Sequence, residues 1–405
     1  MPGFGLGIAS AARRRYRFQM VIADPIVPPV GFVRNGATNP ALKAMLARVA
    51  GGTGRGRIVF KGDSTSAGAG GSDLAADNTG ARPFRPAAAL AGQLSTGGIP
   101  ALDNGFVGDN GMTKEGGCGL PAYDGRVVLA NWNVYPDYSF AGGALLGSNS
   151  GALTFTATTS VDTFEMVLFN LSSPAVMTVL IDGAAPASIV RSGGMTGSAN
   201  TLVAGTSGVG FCKAIVTAAS AGTHTISLTS NTTDRPILRS IIAYDSAVRA
   251  IDMLVHAVNG AKSADQGYTS SPDLFYNNDA LGYDAPDLTV INLGLNDGSQ
   301  GVSASAYSSN LQAIVAKAKL SGDVLLVSPH PASSSFSAFA MQTGLRDAAA
   351  ALAVANGIAY MDLYSYFVSF AAVQSRLADG FVHPRGEMYA EIGQVYRRCI
   401  QAMAA

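Results

Sequence analysis

The segment PDLTVINLGLND, residues 286–297, puts apolar residues on both faces: Leu288 and Val290 on one, Ile291, Leu293 and Leu295 on the other. A strand with one wet face alternates apolar and polar residues. A continuous apolar run is what a parallel strand needs when helices cover both of its faces. We read 286–297 as such a strand, and the sequence around it agrees. YSSNLQAIVAKAKLSG (307–322) has the spacing of an amphipathic helix, and DVLLVSPHP (323–331) reads as the next strand. MQTGLRDAAAALAVANG (341–357) reads as a helix, IAYMDLY (358–364) as a strand, and EMYAEIGQVYRRCIQAMA (387–404) as a last helix. Upstream, DMLVHAVNG (252–260) reads as a strand. Strands that alternate with helices make a doubly wound α/β sheet.

The first strand of that sheet lies far upstream. In IVFKGDSTSAGAGG (58–71), Ile58, Val59 and Phe60 form a short buried run that stops at Gly62-Asp63-Ser64. NPALKAMLARVAGG (39–52) before it and the stretch from about Pro86 to Gly98 after it read as helices. Between roughly 125 and 245 the pattern changes to short alternating runs: ALTFTATT (152–159), DTFEMVLFN (162–170), AVMTVLIDG (175–183), THTISLTS (223–230) and PILRSIIAYD (236–245). This is the pattern of antiparallel strands in a β-sandwich. The expected division is an extension over 1–33, an α/β domain over 34–125 and 246–405, and an inserted jelly-roll-like sandwich over 126–245.

Composition excludes several classes. Of 405 residues only 13% are charged, and the formal net charge is zero. No global field recruits nucleic acid or an acidic membrane surface. Glycine, at 48 residues, suits a turn-rich fold, and the ample apolar content excludes a disordered chain. Cys118, Cys212 and Cys399 are far apart and read as free thiols. No run is long and apolar enough for a membrane span. The N-terminal stretch places Arg13-Arg14-Arg15 after its apolar part, the reverse of a signal peptide. We read residues 1–33 as an attachment or oligomerisation arm ending in a Pro-rich linker, and expect a cytoplasmic or virion-associated location. No nucleotide-binding glycine motif follows a strand, and no metal-ligand cluster stands out.

In an open α/β sheet, ligands gather beyond the carboxyl ends of the strands. Ser64 follows the first strand and Asn259-Gly260 the second. Gly294, Asn296 and Asp297 follow the third, and Pro329-His330 the fourth. Asp379 and His383 come just before the last helix. A serine, a backbone glycine, an amide and a histidine on one rim are the parts of acyl transfer. One oxyanion donor is typically worth about 3–4 kcal/mol of barrier. Each residue also has a plainer reading: a turn serine, a strand-end amide, a surface histidine. His256 reads as a core histidine and His224 as a structural or exposed one. His330 is on the correct rim for a substrate-side contact. Tyr123, Trp132, Tyr135 and Tyr138 suit stacking on sugar rings, and equally suit a core or rim.

GDST (62–65), GLND (294–297) and the late Asp379…His383-Pro384, in that order, resemble the SGNH hydrolases, also called GDSL-type esterases. The resemblance spans roughly 55–125 and 250–405. It implies a flavodoxin-like α/β/α sandwich and a serine esterase needing no cofactor. In that family the substrates are acetylated sugars, lipids and thioesters. Residue by residue, Ser64 matches the nucleophile, Asn296 the oxyanion amide and His383 the base. A sandwich between the first two blocks also resembles carbohydrate esterases and phage tail deacetylases, where it looks like a sugar-binding module.

The family's aspartate usually stands three residues before the histidine, but here that position is Gly380, and Asp379 stands four before. Two arrangements follow: Asp379 reaches through one extra turn residue, or the site is a Ser–His dyad using a backbone carbonyl. For the oxyanion glycine, Gly260 follows a clear strand, and Gly108 in DNGFVGDNG is the alternative. The expected activity is hydrolysis of O-acetyl esters on a polysaccharide. The alternatives are a glycan-binding phage tail component and a lipid or thioester esterase.

Overall fold

The computed structural model describes residues 27–70, 85–102, 105–107, 127–135, 144–157, 159–170, 175–204, 210–230, 237–257, 260–266 and 280–405. The first part of the chain forms β1 (Phe32–Val33), α1 (Pro40–Ala50), β2 (Gly56–Gly62), α2 (Ser64–Ala67), α3 (Pro86–Thr96) and β3 (Ala101–Leu102). Then come β4 (Gly105–Val107), β5 (Val127–Tyr135), β6 (Ala144–Thr156), β7 (Val161–Asn170), β8 (Ala175–Ile181) and β9 (Ser188–Ser192). Four more strands follow: β10 (Thr201–Ala204), β11 (Gly210–Gly222), β12 (Thr225–Ser230) and β13 (Ile237–Tyr244). The last part forms β14 (Ile251–Ala257), α4 (Ser263–Gln266), α5 (Ala280–Asp284), β15 (Leu288–Asn292), α6 (Leu295–Ser299), α7 (Ala304–Ala318) and β16 (Asp323–Ser328). It closes with α8 (Phe339–Asn356), β17 (Ala359–Asp362), α9 (Leu363–Tyr366), α10 (Phe370–Val373) and α11 (Gly386–Ala404).

Two sheets share the chain. One has the order β1-β17-β16-β15-β2-β14-β3. Its inner strands are parallel, and β1 is an antiparallel edge on β17. Numbered along the chain, β2, β14, β15, β16 and β17 stand in the spatial order 2-1-3-4-5, the flavodoxin-like winding. Strand side chains point alternately to two faces. Ile58 and Phe60 of β2 join a core with α1, α3 and α11, while Val59 joins a core with α7 and α8. Both faces are apolar because both are covered, which is why these strands read as unbroken apolar runs.

The second sheet is antiparallel and is inserted between β3 and β14. Its order is β10-β8-β12-β6-β13-β7-β11-β9, with β4 on β13 and β5 on β6. Val179, Leu228 and Phe155 from one half share a core with Phe164, Met166 and Val216 from the other. The ladder therefore folds over onto itself as a sandwich. β4 enters this sheet at Gly105, pairing with Ile242, upstream of the residue 126 at which the sequence suggests the sandwich begins.

The structure differs from the sequence reading in three further places. β15 stops at Asn292, and most of GLND lies in the short helix α6, because Gly294 turns the backbone at φ 131°. β9, β10 and β11 are strands the alternating pattern did not signal. Phe32 and Val33, at the end of the expected linker, pair with Met361 and Tyr360 and cover a sheet edge. Among the described residues no helix is long and apolar enough to cross a membrane. Cys212 and Cys399 are buried free thiols, and Cys118 lies outside the described residues.

Candidate active site

Strand register sets the rim. Gly62 at the end of β2 pairs with Asn292 on one side and Ala257 on the other. Ser64 follows Gly62 by two residues, Gly260 follows Ala257 by three, and Asn296 follows Asn292 by four. All three leave the carboxyl ends of adjacent strands, at the point where the winding reverses direction.

Ser64 is the first residue of α2. Asp63 caps that helix: its Oδ1 accepts from the Thr65 N–H (3.0 Å) and the Thr65 hydroxyl (2.8 Å). As a first-turn residue, Ser64 keeps its own N–H outside the intrahelical bonds. Gly62 has no substitute here, since a Cβ would lie 2.2 Å from Ser66 Oγ and 2.8 Å from the Asn292 carbonyl oxygen. The loop after α2 is tied down where the Tyr389 hydroxyl donates to the Ala69 carbonyl (2.8 Å). Gly70 lies so close to His383 that a Cβ would stand 2.8 Å from the histidine Cβ.

His383 reaches Ser64 from the turn before α11. Its Nε2 lies 2.9 Å from Ser64 Oγ, and its Nδ1 lies 2.7 Å from Asp379 Oδ2. The extra residue between Asp379 and His383 is absorbed by Gly380, whose φ of 72° makes the tight turn. Asp379 Oδ1 accepts from the backbone N–H groups of Phe381 (2.8 Å), Val382 (2.9 Å) and His383 (3.2 Å). Burial alone would raise the Asp379 carboxyl. These N–H donors and the nearby His383 outweigh it and hold the group below its ordinary range. Of the two arrangements the sequence left open, the structure contains a hydrogen-bonded Ser64–His383–Asp379 chain.

Asn296 donates from Nδ2 to the Ala261 carbonyl (3.1 Å), which sets it beside Gly260 and leaves its second N–H for another acceptor. Gly260 is exposed, at φ 75°. The loop between β14 and α4 is clamped onto α6, since Ser263 donates to the Asp297 carboxylate from its N–H (3.0 Å) and its hydroxyl (2.6 Å). Burial raises the Asp297 carboxyl despite those bonds. Asn259 and Gly108 lie outside the described residues.

The other expectations resolve as follows. His330 is not a substrate-side contact: it is 1% exposed, and its Nε2 lies 2.8 Å from the Val382 carbonyl oxygen. Trp132 is buried in the sandwich core and offers no stacking face. Tyr123 and Tyr138 lie outside the described residues, and Tyr135 ends β5. His256 is fully buried, 2.7 Å from Asp284. His224 bonds Asp182 and the Ser220 carbonyl. The sequence reading did not anticipate Gly70, Ser263 or Tyr389. Gly70 was visible as part of a glycine-rich run, but nothing marked the other two. Among the described residues no group of three His, Cys, Asp or Glu could hold a metal.

Residues 223–391 match the GDSL-like Lipase/Acylhydrolase family. That stretch includes Asn296, Asp379 and His383, whereas Ser64 lies upstream of it, on the far side of the sandwich. A solved structure titled as a peptidoglycan O-acetylesterase in action has a similar fold at 14% identity. The likeness has a TM-score of 0.68 and covers 92% of this chain and 99% of that one. A lipase/acylhydrolase from Enterococcus faecalis aligns at 20% identity and TM-score 0.33, over 38% of this chain and 77% of that one. A family two carbohydrate esterase from Clostridium thermocellum, solved with cellohexaose, aligns at 9% identity and TM-score 0.29, over 67% and 97%. No curated protein matches the sequence. The chain carries a GDSL-type hydrolase domain, and it is an ester hydrolase.

Proposed function

We propose that this ester hydrolase removes O-acyl groups, acetyl first, from a polysaccharide, through an acyl-enzyme on Ser64. The observation that carries the reading is the continuous chain from Ser64 Oγ to His383 Nε2 (2.9 Å) and from His383 Nδ1 to Asp379 (2.7 Å). His383 takes the hydroxyl proton as Ser64 Oγ attacks the acyl carbonyl carbon. The tetrahedral oxyanion takes hydrogen bonds from the Ser64 N–H, the Gly260 N–H and the Asn296 amide. As the intermediate collapses, His383 gives its proton to the departing sugar oxygen. Water then attacks the acyl carbon, His383 accepts the water proton, and release of the carboxylic acid returns the hydroxyl to Ser64. Asp379 holds the imidazole tautomer that presents Nε2 to the serine.

Two observations support a sugar ester over a long-chain lipid ester. An open groove of about 460 Å³ runs past Ala378 and Gly380, on either side of Asp379, and Gln374, Ser375 and Arg385 put polar groups into it beside Ala371 and Leu377. Phe381, two residues from His383, is half-exposed and offers a flat aromatic face of the kind sugar rings stack on. The solved structure of similar fold is titled as a peptidoglycan O-acetylesterase, so acetyl on a glycan is the substrate class to test first. We assign β1 to β3 and residues 246–405 to the hydrolase domain, and β4 to β13 to a sandwich that helps hold the glycan.

The test is hydrolysis of p-nitrophenyl esters of increasing chain length, then of acetylated glycans, by wild type and Ser64→Ala. The expected result is a fall with acyl length and a loss of at least about 10³-fold in Ser64→Ala. Unchanged turnover in Ser64→Ala removes the nucleophile assignment. A preference for long acyl chains removes the glycan one.

A further inference from the structure

We infer that His330 is a positioning residue: its bond to the Val382 carbonyl holds the Asp379–His383 turn where His383 can reach Ser64. This inference rests on the catalytic reading above.

The turn is tightly bonded within itself. The Ala378 N–H donates to the His383 carbonyl (2.7 Å), the Arg385 N–H to the Arg376 carbonyl (2.8 Å), and Leu377 bridges Pro384. Asp379 gathers three N–H groups at one oxygen. Such bonds fix the shape of the turn but not its place over the sheet. Two bonds reach it from the segment after β16. The Ser333 N–H donates to the Phe381 carbonyl (2.9 Å), and His330 Nε2–H donates to the Val382 carbonyl (2.8 Å). The Val382 N–H is already held by Asp379, so His330 fixes the peptide that runs from Val382 directly into His383.

His330 suits this role in three ways. It stands between Pro329 and Pro331, whose rings restrict the backbone, so little freedom is lost in aiming the imidazole. It is buried beside the small apolar cluster of Leu295, Ala332 and Val382, where no water competes for the carbonyl. It is also neutral. Burial, with a smaller contribution from His383, pushes its pKa down to about 4, so the donor adds no positive charge against the His383 imidazolium formed in each half-reaction.

The test compares His330→Gln, His330→Asn and His330→Leu. A glutamine amide nitrogen reaches about as far as imidazole Nε2, an asparagine amide falls short, and leucine fills the space without a donor. Three quantities are read: thermal midpoint, kcat and KM on p-nitrophenyl acetate, and the rate at which a p-nitrophenyl phosphonate labels Ser64. In that labelling, Ser64 Oγ bonds to phosphorus and p-nitrophenolate leaves, so the rate reports on the serine–base alignment and titrates the folded sites. We expect His330→Leu and His330→Asn to lose about 10–100-fold in kcat per titrated site and in labelling rate, with KM within about twofold. His330→Gln should stay within about threefold of wild type even where its thermal midpoint falls like the others.

Equal kcat per site in all variants makes His330 structural only and overturns the inference. Equal loss in the Gln and Leu variants overturns the donor as its basis. If leucine prevents folding, the Gln–Asn pair still decides. A wild type that neither turns over esters nor labels defeats the catalytic reading itself, a result distinct from any pattern among the variants.

Discussion

Two buried carboxylates, one beneath the serine rim and one where the two sheets meet, are held in opposite ways. Asp63, fully buried, receives two bonds from Thr65 at Oδ1, while its Oδ2 has no hydrogen-bond partner among the described residues. Burial dominates and pushes its pKa up to about 6. Glu165 on β7 takes both guanidinium N–H groups of Arg57 from β2 (3.1 Å each) and an ion pair with Lys213. Burial would raise it too, but the two cations hold it below its ordinary range. Arg57 also donates to the Asp284 carbonyl (2.6 Å), next to the buried His256–Asp284 pair. The junction satisfies its charges, and the rim does not. Histidine–carboxylate pairs 2.7 Å apart occur in both regions, but only His383–Asp379 is part exposed and has a serine on its far nitrogen. Access and neighbours, not the pair itself, distinguish the pair we propose as catalytic from the architectural one.

The largest expected effect breaks the rim alone. Asp379→Asn keeps an oxygen for the three backbone N–H groups but puts an amide N–H against His383 Nδ1. We expect kcat on p-nitrophenyl acetate to fall about 10³–10⁴-fold, with little change in thermal midpoint. A loss below tenfold makes the pair at the rim as architectural as the one at the junction.

The next effect breaks the junction alone. Glu165→Ala leaves the part-buried Arg57 and Lys213 without their shared anion, which should cost about 2–3 kcal/mol of stability at neutral pH. Because Glu165 is held below its ordinary range, its contribution is present at neutral pH and is lost as pH falls through that lowered range. The gap from wild type in urea unfolding should therefore narrow toward acid, with kcat per folded site within about twofold throughout. A gap independent of pH, or a kcat collapse in folded protein, contradicts the contrast.

The smallest effect sharpens the comparison by reversing its sign. A raised folded-state pKa means the native form holds the Asp63 proton more tightly than the unfolded chain does. Wild type should lose stability as pH rises from about 4 to about 6, by up to about 3 kcal/mol, and stay at that lower level above it. Asp63→Asn cannot ionise and should be more stable than wild type at pH 7.5, an advantage that vanishes near pH 4. Urea midpoints at the two pH values measure this, and an equal difference at both rejects the assignment.

Sequence alone determined the class of fold and the order of the site. Strands with apolar residues on both faces, at 58–60 and 288–291, required cover on both sides, and alternating runs such as 225–230 required one wet face. Both requirements are local, so both could be read from the chain. Ser64, Asn296 and His383 were legible as candidates because each follows a strand end or precedes the last helix. β9 to β11 were not: β11 presents alanines and Cys212 to the core, and such small side chains give a weak pattern. The reach of Asp379 depended on a positive φ at Gly380, which a residue count does not reveal. The burial of His330 and the meeting of Arg57 with Glu165 were decided only by tertiary structure. Those contacts join segments far apart in the chain, and their energies come from excluded water and aligned partners, properties that no single segment carries.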